Sequence, residues 1–270
     1  MLLHRPSDEL VVEARATTRR VARTFALACR LLPRRLRRDV YLLYLVFRTL
    51  DDLVDEAAPD AVARIAAVEA WAQENPATPT RETRVLADLA GRYELPRAAF
   101  RDFCRGMRDD LDGHPIVTEE ELDAYCYRVA GTVGVVMAAV LGTRRDADAE
   151  AAALGMAMQR TNILRDIDED IAHGRVYLAR DTVERFGSPA PGRREALLRD
   201  QIARADALYD RGMAGIPALR GGRRAIAAAA CMYREILRQI ERDGYGARAG
   251  RATVPRRRKL LIAARRGVAA

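Results

Sequence analysis

Residues 40–56 read VYLLYLVFRTLDDLVDE. Apolar side chains fill nearly every position from Val40 to Phe47, so a helix here has no polar face and must be buried all round. The run then ends in acids. Asp51 and Asp55 are four residues apart and share a face, with Arg48 three residues before Asp51 on the same side. Two ionised aspartates on a buried helix are costly unless cations neutralise them. Taken alone, the cluster also fits an ordinary polar helix end in which Arg48 forms surface pairs.

A second cluster, NILRDIDED at 162–170, bears on that choice. Asn162, Asp166 and Asp170 recur at four-residue intervals, a stripe roughly 80° wide at about 100° per residue. Gln159 extends it one turn back and Arg165 flanks it. Oxygen ligands without histidine or cysteine suit a hard cation, Mg²⁺ above all. Magnesium keeps several waters and is commonly shared between a carboxylate or two and substrate phosphates. Two facing helices with few ligands each therefore suit a diphosphate bridged by several ions. Arginines beside the acids fit the same scheme, since guanidinium forks bind phosphate oxygens in pairs.

Around these clusters nearly everything reads as helix. Segments are expected at about 8–29, 34–57, 60–74, 81–91, 96–110, 118–141, 146–172, 193–214 and 222–243. Thr118 and Glu121 have capping-box spacing, and Gly142 is placed to end that helix. The loop GSPAPG at 187–192 separates the acid-rich helix from a C-terminal pair. The class is all-α. With 49% hydrophobic and 31% charged residues the chain is globular. It carries no glycine- or serine-rich linker, so one domain over 1–270 is expected, with a basic end from about 242.

That end holds nine basic residues against the single acid Asp243, while the chain as a whole carries +8. It could meet a phosphate-bearing partner or an anionic membrane surface. Lys259 is the only lysine among many arginines and alanines, a composition bias that weakens arginine content as a nucleic-acid signal. No zinc-finger spacing or aromatic-basic interleaving is present, and nucleic-acid binding is not expected. Cys29, Cys104, Cys126 and Cys231 are widely spaced and read as reduced core residues of a cytoplasmic protein. MLLHRPSDEL lacks the apolar stretch of a signal peptide. The longest uncharged run, Val129 to Thr143, is shorter than the roughly 20 residues a bilayer requires. Membrane contact is therefore expected to be peripheral, at the inner surface.

Other chemistries fit poorly. Ser7 and Ser188 lie in no GxSxG turn, and His4, His114 and His173 lack metal-binding spacing. GYGARAG at 244–250 follows no strand and has the wrong glycine spacing for a dinucleotide loop. Gly131 and Gly134 interrupt an apolar helix at about 1 kcal/mol each relative to alanine. They mark close helix packing, or a helix thinned or kinked where a long apolar ligand passes.

The chain resembles the squalene/phytoene synthase family of head-to-head prenyl transferases. The likeness is carried by RTFALACRLLP at 23–33, FRTLDDLVDE at 47–56 and GMRDDLDG at 106–113. It continues through YCYRVAGTVG at 125–134, NILRDIDEDIAHGRVYL at 162–178 and YREILRQIERDGY at 233–245. The resemblance implies a single-domain isoprenoid-synthase helical bundle with a central cavity between two Asp-rich helices. By position, Asp51 and Asp55 would bind Mg²⁺ from one side, and Asn162, Asp166 and Asp170 from the other, with two or three ions in all. Arg48 and Arg165 would hold diphosphate, and Gln159 would line the substrate site. Val21, Arg23 and Thr24 match a flap over the diphosphate, with Phe25 facing the cavity. Tyr44, Tyr125 and Tyr233 match positions that contact substrate, while Val129, Ala130 and Gly134 would enclose the prenyl tails.

The implied reaction ionises one prenyl diphosphate, couples it to a second through a cyclopropyl intermediate, and ionises again to give a 1-1′ linked product. Geranylgeranyl diphosphate coupling to phytoene, with proton loss and no NADPH, is the leading expectation. Formation of presqualene, squalene or dehydrosqualene from farnesyl diphosphate follows. A single-substrate terpene cyclase comes third, and a non-catalytic helical module that binds lipid or membrane is the reading from another class. Three features depart from the family. Arg160 sets a charge beside the stripe, Asp168 adds an acid within the second motif, and the stretch around 58–85 is trimmed.

Overall fold

The buried apolar run is the centre of the molecule. The computed structural model describes residues 8–76 and 78–268; residues 1–7 of the stretch read for a leader, with His4 and Ser7, lie outside them. Within that range α1 (Asp8–Val21) and α2 (Arg23–Cys29) precede α3 (Arg34–Asp55), on which Val40 to Phe47 are all buried except Tyr44. Phe47 stacks on Phe100 at 5.5 Å and meets Phe103 edge-on at 4.7 Å, both on α6. Each such side chain contributes about 1.5–3 kcal/mol by leaving water. That anchoring fixes where the next residue, Arg48, and the acids beyond it point.

The chain continues through α4 (Ala61–Ala72), α5 (Arg81–Ala90), α6 (Arg97–Asp112), α7 (Glu119–Cys126), α8 (Thr132–Leu141) and α9 (Asp148–Ala172). It closes with α10 (Arg180–Phe186), α11 (Glu195–Ala214), α12 (Arg223–Arg242) and α13 (Arg256–Val268). Among the described residues there is no strand, only an isolated bridge between Thr143 and Leu219. The long α9 packs on α8, α11 and α12. The capping box at Thr118 and Glu121 is present, and Gly142 ends α8 at φ +72°. The expected helix at 118–141 is continuous but changes pitch, because Tyr127–Gly131 form a π-helical turn between α7 and α8. Helices α10 and α13 lie in stretches that carried no helix expectation.

Residues Glu119–Leu141 are together long and apolar enough to cross a membrane. Here they pack between α6 and α9. The cysteines are free; Cys29, Cys104 and Cys126 are buried and Cys231 is half-buried.

The glycines of the π-turn and α8 serve packing first. A Cβ on Gly134 would stand 2.2 Å from the Ala151 carbonyl oxygen, and one on Gly155 would stand 2.1 Å from that of Ala130. The two helices thus approach backbone to backbone, each needing the other's glycine. A Cβ on Gly131 would meet Tyr127 at 2.9 Å. Gly134 also lines the central cavity, but the room its missing side chain leaves is filled by α9 rather than held open for a ligand.

Candidate active site

A cavity opens between α3, the π-turn with α8, and α9. Arg48 and Asp51 line one wall, and Gln159 and Asn162 the other. Its deeper wall is apolar, with Phe47, Val133, Met137, Leu141 and Leu219 among the lining side chains. Ala22, Phe25, Tyr44 and Tyr233 complete the polar end, where the Phe25 and Tyr44 rings lie 5.4 Å apart. Asp55, Asp166 and Asp170 stand outside that lining. They remain close enough to couple: Asp170 feels the charges of Asp166 and Asp55.

The first acid cluster is only partly neutralised. Arg48 donates to Asp51 at 2.7 Å and also pairs with Asp52. Asp51 keeps 42% of its side chain exposed to the open cavity, yet protein surrounds it closely. That confinement pushes its carboxyl up to about 6, with Arg48 opposing and Asp55 adding to the rise. Burial does the same to Asp170, also to about 6, helped by Asp166 and opposed by Arg175. Asp166 takes Arg165 at 2.8 Å and Arg251 at 2.9 Å. Arg175 reaches across from the end of α9 to pair with Asp55.

These carboxylates hold more negative charge than a desolvated site favours, which is what a hard cation would relieve. The Asn162 side-chain oxygen carries the same message, being buried and accepting no hydrogen bond. An orphaned buried acceptor costs on the order of 1–3 kcal/mol, and Asn162 itself lines the cavity, where Mg²⁺ would offer that oxygen a partner. Among the described residues no three carboxylate, histidine or cysteine groups converge as a self-sufficient metal cage. Magnesium shared with water and phosphate needs none. The residues present fit the ion.

Other expected residues fall around this centre. Val21 ends α1 and is exposed; the break at Ala22 turns that residue, rather than Val21, into the cavity. Thr24 accepts a hydrogen bond from Lys259 at 3.1 Å. Arg23, Arg165 and Arg251 press on Lys259, which burial and these cations hold below the ordinary lysine range. Tyr125 does not line the cavity; it donates to Asp110 at 3.3 Å and stacks on Tyr177 at 5.3 Å.

Of the two charges that depart from the family, neither faces this centre. Arg160 does not sit beside the stripe's chemistry: it is 2% exposed and bonds Asp123, Glu119 and Gln201, tying α7 and α11 to α9. Asp168 faces away as well, accepting from Arg194 at 2.6 and 2.8 Å and from the Gly250 backbone at 2.7 Å. It anchors the 244–250 loop. The angular positions explain both, since Asp168 lies about 180° and Arg160 about 100° around the helix from Gln159.

Four polar residues at the site carried no expected role: Asp110, Arg175, Arg251 and Lys259. Asp110 is pushed up to about 7, chiefly by burial, opposed by its Tyr125 hydrogen bond and reinforced by Asp51. It belongs to GMRDDLDG, which marked the family without receiving a role. Arg251 and Lys259 belong to the basic end, which reads as a surface for a partner. The chain instead folds that end back, with α13 packing on α12 and α2.

The sequence matches the squalene/phytoene synthase family over residues 18–258. It is 39% identical over 234 residues to a phytoene synthase of Thermus thermophilus, covering 82% of this chain and 80% of that one. A 15-cis-phytoene synthase of Synechococcus elongatus is 35% identical over 281 residues, covering 94% and 91% respectively. A solved structure of a dehydrosqualene synthase in complex with ligand superposes with a TM-score of 0.86 at 28% identity, covering 96% of this chain and 95% of that one.

Proposed function

The chain belongs to the squalene/phytoene synthase family, and from that premise we propose that it joins two geranylgeranyl diphosphates head to head to give phytoene. It is a prenyl transferase. The observation that carries the site assignment is that Asn162, whose side-chain oxygen has no hydrogen-bond partner, lines one cavity wall with Asp51 in the other.

In this reading Asp51 and Asp55 bind metal from α3, and Asn162, Asp166 and Asp170 bind it from α9. When bound, two or three Mg²⁺ ions supply the Lewis-acid charge that draws off diphosphate. Arg48, Arg165, Arg23 and Lys259 hold the diphosphate oxygens, Arg23 and Thr24 closing the flap beside Ala22. Gln159, Tyr44 and Tyr233 fix the first carbons of the substrates, and Tyr125 steadies the acids through Asp110. Val129, Ala130 and Met137 wall the prenyl tails and exclude water, which would quench an allylic cation. The final cation loses a proton, and no NADPH is required.

The relatives named phytoene synthase favour C20 substrates. The likeness to a dehydrosqualene synthase favours C15 as the second reading. Incubation with C15 and C20 diphosphates plus Mg²⁺, without NADPH, separates them by the mass of the extracted lipid. A C40 triene-centred hydrocarbon supports the proposal; turnover only with NADPH, or a cyclised product from one substrate, ends it.

The enzyme works in the cytoplasm, touching the inner membrane surface with the outer side of α13. There Leu260 and Leu261 are half exposed among Arg256, Arg257 and Arg265, a pattern suited to anionic lipid. Flotation with phosphatidylglycerol vesicles but not phosphatidylcholine vesicles, lost in a Leu260→Glu/Leu261→Glu variant, is the expected result. Equal flotation of the variant removes the surface from the account.

A further inference from the structure

Arg175 is placed with unusual definition for a residue in a loop. Helix α9 ends in a turn where Gly174 takes φ +76°, its N–H donating to the Ile171 carbonyl at 3.0 Å and that of Arg175 to the Asp170 carbonyl at 2.9 Å. This paired closure is the Schellman arrangement, which needs a left-handed residue and favours glycine there. It fixes the Arg175 backbone against that of Asp170, the last acid of the second cluster. From that position the guanidinium pairs with Asp55, the last aspartate of the first cluster, 120 residues away in sequence. Both side chains are reachable by solvent, at 41% and 44% exposure.

The guanidinium takes one Asp55 oxygen, so a divalent ion that draws on the whole carboxylate meets it as a competitor. We propose that Arg175 is a built-in counterion: it holds Asp55 while the site is metal-free, and it is exchanged for Mg²⁺. Exchange frees a cation, tethered to Asp170, at the boundary between the two acid clusters. There it meets the diphosphate that arrives with the metal. The inference rests on the metal-site reading above and adds an internal competitor to it.

The exchange has a readout that needs no turnover. MgCl₂ is titrated into the full-length parent, Arg175→Gln and Arg175→Lys, following melting temperature, first alone and then with inorganic diphosphate. Without the competitor, Arg175→Gln should bind Mg²⁺ alone roughly two- to fivefold more tightly, the range an exposed ion pair commands. Its metal-free form should melt lower, and its gain from added diphosphate should shrink. Arg175→Lys, which keeps the charge, should stay near the parent. Equal or weaker Mg²⁺ binding by Arg175→Gln overturns the exchange while leaving the metal site standing. So does a parent that responds to Mg²⁺ only when diphosphate is present. A parent that responds under neither condition ends both readings.

Discussion

Two faces of α9 carry acids under opposite conditions. On the inner face Asp170 is raised to about 6 by burial and by Asp166, and the Asn162 oxygen has no partner. On the outer face Asp168 is held below the ordinary carboxylate range, by the Arg194 hydrogen bond first and the Gly250 N–H as well. Asp168 and Asp170 are two residues apart on one helix. The same side chain serves structure where its partners are complete, and in the proposed metal site it would serve chemistry where they are partial. The contrast makes Arg160 intelligible: a charge near the motif, but one whose donors are taken up by Asp123, Glu119 and Gln201.

The sharpest break between the faces is in catalysis. Asp166→Asn should lower kcat by at least about 10³-fold, since metal charge stabilisation is worth several kcal/mol. Its melting temperature should change little, because the lost pairs with Arg165 and Arg251 are offset by relief of the repulsion on Asp170. Asp168→Asn should do the reverse, keeping kcat and losing about 1.5–3 kcal/mol with the charged hydrogen bonds to Arg194. Steady-state kinetics and denaturant unfolding on the two variants decide it; equal effects on both would dissolve the comparison.

Arg160→Met should cost about 3–5 kcal/mol, because it leaves the nearly buried Glu119 with only the distant Arg204, at 3.9 Å, as a charge partner. Residual enzyme, assayed below its lowered melting temperature, should keep the parent's Mg²⁺ dependence. A changed Mg²⁺ requirement would return Arg160 to the active face.

A milder test uses pH. Asp51 and Asp170 at about 6 and Asp110 at about 7 bind protons more tightly folded than at their ordinary value of 3.8. Their stabilising contribution is complete below that ordinary value and lost as pH rises through 6 to 7. In chelator, the melting temperature should therefore rise as pH falls from 8 to 5.5, and less so in Asp51→Asn. Mg²⁺-dependent turnover should fall over the same interval, since protonated carboxyls bind metal poorly. Parallel rather than opposed trends would contradict the assignment.

The smallest expected effect concerns the glycines between α8 and α9. Gly134→Ala should destabilise by about 1–3 kcal/mol through overpacking, with substrate chain length unchanged. Thermal unfolding and product mass read the two arms, and a shorter accepted chain without destabilisation would restore a cavity-shaping role.

Most of this was legible in the sequence because helix formation is local. The apolar run at 40–47, the capping box at Thr118 and the four-residue stripe at 162–170 each declare themselves within a few turns. The outward turn of Asp168 was legible too, since its angular position opposes Gln159. What the sequence could not convey is return contact across the chain. Arg175 meets Asp55, Lys259 meets Thr24 and Arg251 meets Asp166 only after folding. The basic C-terminal segment shows charge and weak amphipathicity, with nothing to say that part of it closes on the site. The glycines were ambiguous for a related reason, as a missing side chain does not reveal what occupies its place.

The account stands on metal-assisted coupling of two substrates between the facing acid clusters. The most direct measurement is the ratio of inorganic diphosphate released to hydrocarbon formed from geranylgeranyl diphosphate, with Mg²⁺, with chelator, and without NADPH throughout. The account predicts two diphosphates per C40 product with Mg²⁺ and none of either in chelator. One diphosphate per C20 product, or undiminished release in chelator, would contradict it.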